Sequence, residues 1–360
     1  IGRHRSTVVR RSGYGEAMAQ RLRVALAGYG MAGRGIHRPQ LVAAGFEIAA
    51  ISTSSPARIE QARSDEPAAQ IVPDLDALLE VPDLDLVVLA TPSGSHANHL
   101  TAAVAAGVPT VVDKPITVDA PSARKAVDAA AQAATPLTVF QNRRWDPPHL
   151  AARKLLDEGR LGDLVRYEFR WERWRPEPKQ RWREQATAAE GGGLLLDLGT
   201  HLVDSAVDLF GPVRSVFATV EAHTTVAEDA AVLVCRHAGG AVSELSTTSL
   251  AGAPGPRLRV TGTRGTFLVT EFESEPNGFP GFSAEPGCVG WLVRGDDRTP
   301  VPTVRAERTF YEQVAIALRS NDIQTALPVD PWDAVHTAEV IDAARASARS
   351  WQAVDISACG

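Results

Sequence analysis

The chain has 360 residues, with 37 lysines and arginines against 43 acidic residues and a net charge of −6, and 44% of it is hydrophobic. That balance is ordinary for a globular protein and gives no electrostatic reason to expect nucleic acid or an anionic membrane as partner. Cys235, Cys288 and Cys359 lie far apart, so no disulfide framework or structural zinc is expected, and a reducing, cytoplasmic setting suits the chain.

Residues 1–17 carry Arg3, Arg5, Arg10 and Arg11 but no apolar stretch of the kind a signal peptide needs. They read as a disordered leader or an expression remnant ahead of Met18, with a basic interaction arm as the alternative. From Arg21 strands and helices alternate. Strands are predicted at Leu22–Ala27, Phe46–Ile51, Leu84–Ala90, Thr110–Val112 and Leu137–Phe140. Between them helices are expected at Ile36–Ala44, Pro56–Arg63, Leu75–Leu79, His96–Ala106 and Ala120–Ala133. Apolar strands alternating with helices describe a doubly wound parallel sheet, here a dinucleotide-binding domain over residues 18–141.

Beyond Gln141 the pattern changes. Helix Pro148–Glu158 precedes a long alternating strand, Leu164–Trp174, and a second helix covers Leu194–Phe210. Hairpin-like runs follow at Val213–Ala222, Ala231–His237, Ala241–Leu250, Arg257–Thr261 and Thr266–Thr270. Residues 273–303 read as loops with one short strand, and helices at Arg305–Ser320 and Pro331–Ser350 close the chain. Residues 142–360 are therefore expected to form an α/β domain with a large, open, mainly antiparallel sheet. The last helix can pack back on the first domain. No apolar run reaches the ~18 residues that would span a bilayer.

Gly28-Tyr29-Gly30-Met31-Ala32-Gly33 follows a strand and opens a helix, the context that gives GxGxxG its meaning as a dinucleotide site. The second strand ends in Ser52, Thr53 and Ser54, with Arg58 beyond and no acid. An acid there would accept both ribose hydroxyls of NAD, whereas hydroxyls and an arginine suit a 2′-phosphate, so NADP is favoured and NAD remains possible. Thr91, Pro92 and His96, and then Asp113-Lys114-Pro115, follow the next two strands at the edge where such sheets bind ligands. Lys114 there could hydrogen-bond a substrate oxygen and stabilise alkoxide charge. In Gly191-Gly192-Gly193 and the helix after it, Asp197 and His201 are four apart, which suits an imidazole exchanging protons beside a carboxylate. Metal ligation by Asp197, His201 and Asp204, or a capping and solvated role, are the alternatives.

Together these motifs, with His37 beyond the glycines, resemble the Gfo/Idh/MocA (glucose–fructose oxidoreductase / inositol dehydrogenase) family from about Arg21 to the C-terminus. The resemblance implies a Rossmann domain followed by an α/β domain whose sheet assembles homodimers or homotetramers. It also implies hydride transfer between NAD(P) and a secondary alcohol of a sugar or polyol, with Lys114, Asp197 and His201 as the catalytic set. His201 takes the hydroxyl proton, Lys114 polarises the oxygen and Asp197 orients His201. Asp113 stands where the family usually has Glu. Phe140-Gln-Asn-Arg-Arg-Trp-Asp146 and Arg173-Trp-Arg-Pro176 look most like the NADP-dependent scyllo-inositol dehydrogenase subgroup. Arg143, Trp174, Trp182 and Arg183 are the substrate-binding candidates, because aromatic faces stack on sugar C–H faces and arginines donate to hydroxyls. A catalytically silent sugar sensor, or a reductase of another carbonyl or imine, are the rival functions.

Overall fold

The computed structural model describes residues 21–179, 182–271, 275 and 277–356, without the side chains of Trp182 and Arg183. The expected leader over 1–17 and Cys359 lie outside the described residues. Six strands form the first sheet: β1 (Arg23–Ala27), β2 (Glu47–Ser52), β3 (Gln70–Val72), β4 (Leu86–Leu89), β5 (Thr110–Asp113) and β6 (Leu137–Phe140). Their order is β3-β2-β1-β4-β5-β6, all parallel. Every residue of β4 is buried, because helices cover both faces, and that is why the strands read as unbroken apolar runs. Leu100, Val104 and Val127 pack on one face against Ala27, Val87 and Val112. Leu41 and Ala62 pack on the other against Leu26, Ile51 and Val88.

The register decides where the chemistry can be. Ala27 pairs with Ser52 and Leu89, Leu89 with Val112, and Asp113 with Phe140. The segments after β1, β2, β4 and β5 therefore leave from one edge of the sheet. Strand order reverses between β1 and β4, the switch point at which such sheets open a crevice.

The second sheet has nine strands in the order β14-β13-β12-β11-β7-β10-β9-β8-β15. They are β7 (Leu164–Glu172), β8 (Val213–Glu221), β9 (Ala230–His237), β10 (Val242–Thr248), β11 (Leu258–Gly262), β12 (Gly265–Val269), β13 (Cys288–Arg294), β14 (Asp297–Pro302) and β15 (Val354–Asp355). Only β7 and β10 run parallel; the other paired neighbours are antiparallel. Tyr167, Phe169 and Trp171 of β7 face a core closed by the helices Pro147–Asp157, Thr200–Phe210 and Pro331–Ser350. On the opposite face Glu168 is buried by Arg170 and Arg259, and Arg170 also meets Glu172 and Glu244.

The C-terminal stretch returns to the first sheet. Phe310, Tyr311 and Val314 of the helix Phe310–Ala317 share a core with Val24, Leu26 and Phe140. Pro331–Ser350 places Ala334, Val335 and Ala338 under the first sheet and Val340, Ile341 and Ala344 under the second.

Three expectations need correction. Residues 273–303 contain two strands, joined at Arg294–Asp297 through Gly295 at φ +60°. Pro300 and Pro302 disguise β14, yet proline is tolerated there because β14 is an edge strand. The helix predicted over Arg305–Ser320 starts only at Phe310, because Thr309 and Glu312 form a capping box. The helix predicted from Leu194 opens as a π-turn over Leu195–Gly199 before the α-helix Thr200–Phe210.

Arg144, just after β6, joins the two units. Its guanidinium donates to Asp204 at 3.0 and 2.6 Å, lies 3.3 Å from Asp208, and meets Asp333 of the last helix at 3.0 Å. Asp204 is 1% exposed and Arg144 10%. Burial pushes the Asp204 carboxyl up, against the pull of Arg144. Removing the cation while keeping the bulk strands a buried carboxylate, so Arg144→Met should lower stability by about 3 kcal/mol. The midpoint and slope of urea unfolding measure it.

Candidate active site

Gly28 leaves β1 at φ +93°, donates its N–H to the Ser52 carbonyl at 3.0 Å, and has no room for a Cβ, which would lie 2.6 Å from the Ala90 carbonyl oxygen. A Cβ on Gly33 would lie 2.0 Å from the Gly28 carbonyl oxygen. Both glycines are demanded by the turn itself. Gly30 is different: a Cβ there would meet only the Arg58 guanidinium, at 3.9 Å. Its bare backbone faces an open groove of about 440 Å³ bounded by Tyr29, Met31, Arg34, Arg38 and Asp65. A helix begins at Met31, so its unpaired N–H groups border this cradle, the kind of helix start at which phosphates bind.

At the end of β2, Ser52 and Thr53 are buried, whereas Ser54 and Arg58 are exposed. An acid that the linear motif does not reveal lies close by. Asp65 accepts from Arg34 Nε at 2.6 Å and from the Tyr29 hydroxyl at 2.9 Å. The Arg34 guanidinium holds its carboxyl down to about 2. Asp65 is thus committed to bracing the glycine loop.

Lys114 follows β5, and its Nζ donates to the Asp197 backbone carbonyl and to Asp197 Oδ1 at 3.0 Å. The lysine side chain is 10% exposed and the aspartate 26%. Asp197 sits in the π-turn Leu195–Gly199, an irregularity common where helices carry function. His201 lies one turn further on, buried, its ring stacked on Trp171 with centroids 5.6 Å apart. Trp171 is also flanked by the guanidinium groups of Arg143, Arg173 and Arg257, at 4.9, 5.2 and 4.3 Å from the ring centre.

The glycine triplet is what allows this approach. Gly191 at φ +91° lies against Gly94 of the Thr91–His96 loop, and a Cβ on Gly94 would be 2.7 Å from the Glu190 carbonyl oxygen. Gly193, at φ +93°, leaves space for the Glu228 carboxylate, which pairs with Arg345 at 2.7 Å. Backbone meets backbone across the two units.

The remaining candidates are distributed as follows. His96 is buried behind the site, Nδ1 2.7 Å from the Pro115 carbonyl and Nε2 2.9 Å from that of Thr91. It ties together the loops after β4 and β5. Burial pulls its pKa below the ordinary value, against the two carbonyls and Asp113. Thr91 Oγ1 meets His99 Nδ1 at 2.8 Å, and Pro92 and Met31 are exposed. Arg143 reaches the Trp171 ring and donates to Asp146 at 3.0 Å. Trp174 is 58% exposed beside Gly252. Trp182 and Arg183 open the short helix Trp182–Gln185, with side chains outside the described residues. Asp204 is committed to Arg144. Trp171 belongs to the same aromatic and arginine-rich stretch as Trp174 and Trp182, but its alternation with Tyr167 and Phe169 marks a core position, and only the fold shows His201 against it. A depression of about 850 Å³ between Val127, Leu137 and Trp332 opens at the amino end of β6 rather than at the site.

Comparison with known proteins agrees with this geometry. The profile for an oxidoreductase family with an NAD-binding Rossmann fold matches residues 22–141, and that for the Gfo/Idh/MocA C-terminal domain matches 149–268. The NADP(+)-dependent scyllo-inositol 2-dehydrogenase IolW of Bacillus subtilis is 31% identical over 352 residues, covering 93% of this chain and 96% of its own. A D-apiose dehydrogenase of Paraburkholderia graminis is 26% identical over 87% of this chain and 84% of its own. A solved Yersinia pestis structure assigned as an oxidoreductase superposes with a TM-score of 0.81 at 32% identity, covering 96% of this chain and 99% of that one. The chain belongs to the Gfo/Idh/MocA family of oxidoreductases.

Gly30 offers a clean separation of fold from ligand. Gly30→Val has space in the free protein but fills the cradle, so it should leave the melting temperature nearly unchanged. NADPH binding, read from nucleotide fluorescence, should weaken more than about tenfold.

Proposed function

We propose that the protein is an NADP-preferring dehydrogenase that interconverts a secondary alcohol and a ketone on a cyclitol or sugar. The carrying observation is the Lys114–Asp197 pair at the carboxyl edge of the first sheet, with His201 one turn beyond Asp197 on the same helical segment. The bound dinucleotide supplies the hydride acceptor or donor at its nicotinamide ring. Lys114 Nζ holds the substrate oxygen and steadies its negative charge as the carbinol is oxidised. His201 takes the hydroxyl proton and returns it in reduction. Asp197 aims the ammonium of Lys114, and the Trp171 plane limits how the His201 ring can turn. Arg143 stands beside the same indole, where it can donate to substrate hydroxyls.

NADP is favoured because Ser54 and Arg58 are the exposed groups after β2 and the nearby carboxylate, Asp65, is held by Arg34. The relative IolW is an NADP(+) enzyme, which supports the same choice. A homodimer or homotetramer through the second sheet is supported by Val165, Val232 and Val234, exposed on strands β7 and β9 beside a ladder of paired charges. A cytoplasmic setting fits the free thiols of Cys235 and Cys288. No described helix is long and apolar enough to cross a membrane.

Turnover of NADP+ and NAD+ with scyllo-inositol, myo-inositol, D-apiose and common aldoses, followed by nucleotide absorbance, tests the reading. At least one polyol should be oxidised, faster with NADP+. Cofactor binding without turnover on every candidate would favour a silent sensor. Lys114→Ala and His201→Ala should each lower kcat by about 10²–10⁴-fold while NADPH affinity stays within about threefold. Arg58→Glu should weaken NADPH at least about tenfold and NADH far less, measured by fluorescence titration.

A further inference from the structure

One buried titratable group has no part in the steps above. His37, fully buried, follows the glycine loop in the π-turn Gly33–His37. Its ring packs on Phe140, centroids 4.3 Å apart; Nδ1 has a hydrogen-bond partner, and Nε2, buried without one, faces a carboxylate. Nδ1 lies 2.6 Å from the hydroxyl of Tyr311, and Nε2 lies 3.5 Å from Asp113 Oδ2. The other carboxylate oxygen of Asp113 accepts the backbone N–H of Lys114 at 2.8 Å. Tyr311 comes from the helix Phe310–Ala317, almost three hundred residues along the chain, and stacks on the same Phe140.

The direction of these bonds can be read from chemistry. Burial pushes the Tyr311 phenol well above its ordinary pKa, so it keeps its proton and donates it. Nδ1 is then the acceptor, and a neutral imidazole carries its own proton on Nε2, facing Asp113. At 3.5 Å that proton acts on Asp113 mainly as a dipole on a charge. The carboxylate is faced by His37, the Lys114 backbone and, at longer range, the Lys114 ammonium and His96. Burial alone would raise its pKa, but these neighbours, His37 foremost, hold it below the ordinary value.

We propose that His37 and Tyr311 are positioning residues for the reaction: the Tyr311 hydroxyl fixes the His37 tautomer, His37 braces Asp113, and Asp113 holds the backbone from which Lys114 reaches substrate. This rests on the reading of Lys114 as the group that holds the substrate oxygen. It assigns a task to a histidine that a glycine-loop motif leaves unexplained, and it makes the C-terminal helix Phe310–Ala317 part of the support for the site.

Nitrogen NMR of the histidine-labelled full chain tests the pairing without any substrate. In its neutral form His37 should show a protonated Nε2 and a bare Nδ1, and Tyr311→Phe should release it into a mixture of tautomers. Kinetics with scyllo-inositol and NADP+ test the consequence. Tyr311→Phe keeps the aromatic stack and should lower kcat about fivefold, with KM and NADPH affinity within about twofold. His37→Gln, which offers an amide N–H in place of Nε2–H, should retain most of the activity. His37→Met should not, and the acid limb of its kcat profile should move to higher pH as Asp113 loses its partner. Adding Tyr311→Phe to His37→Gln should cost nothing more, because the hydroxyl acts only through the imidazole. A wild-type His37 protonated at Nδ1, or losses that simply add in the double variant, would overturn the proposal. If scyllo-inositol is not oxidised at all, the dehydrogenase reading has failed on that substrate, and the NMR result alone decides whether the pairing exists.

Discussion

The ammonium of Lys114 and the carboxylate of Asp197 come from different structural units, and holding them 3.0 Å apart is the condition that organises the rest of the molecule. Lys114 is fixed by the end of β5, Asp197 by a π-turn before the helix Thr200–Phe210. The loop after β4 touches the glycine triplet with no side chain between Gly94 and Gly191. Behind them Arg144 binds Asp204 on the helix Thr200–Phe210 and Asp333 on the last helix, and so fixes the former relative to the first sheet. A charge pair formed this way lies at a crevice edge, half-shielded from water, where opposite charges attract more strongly than they do in bulk solvent.

Residues that look alike in a motif do different physical work. Gly28 is required by the Ala90 carbonyl after β4 and Gly33 by the carbonyl of Gly28, and of the three only Gly30 presents open backbone to the groove. Among the histidines, His96 ties two loops through their carbonyls, His37 faces a phenol and a carboxylate, and His201 lies against an indole at the crevice. The same side chain thus sits in three different environments, set by what surrounds it.

Much of this could be read from the sequence, for identifiable reasons. The parallel sheet was legible because strands such as β4 are buried on both faces and appear as continuous apolar runs. The places of Lys114, Asp197 and His201 were legible because the first follows a strand at the sheet's carboxyl edge and the other two lie four apart on one helical face. The strand β14 was hidden by prolines that an edge position permits. Asp65 and Tyr311 were hidden because their partners, Tyr29 with Arg34 and His37, are distant in sequence. Arg144 and Arg143 are adjacent and chemically identical; only the fold shows that the first is buried among carboxylates and the second flanks Trp171.

The central claim is that Lys114 and Asp197 act as a pair across the two structural units. A double-mutant cycle with Lys114→Met and Asp197→Asn, read as kcat/KM for the best polyol with NADP+, addresses it most directly. The account predicts strong non-additivity: once Lys114 is gone, Asp197→Asn should add little further loss. Two losses that multiply independently would contradict it.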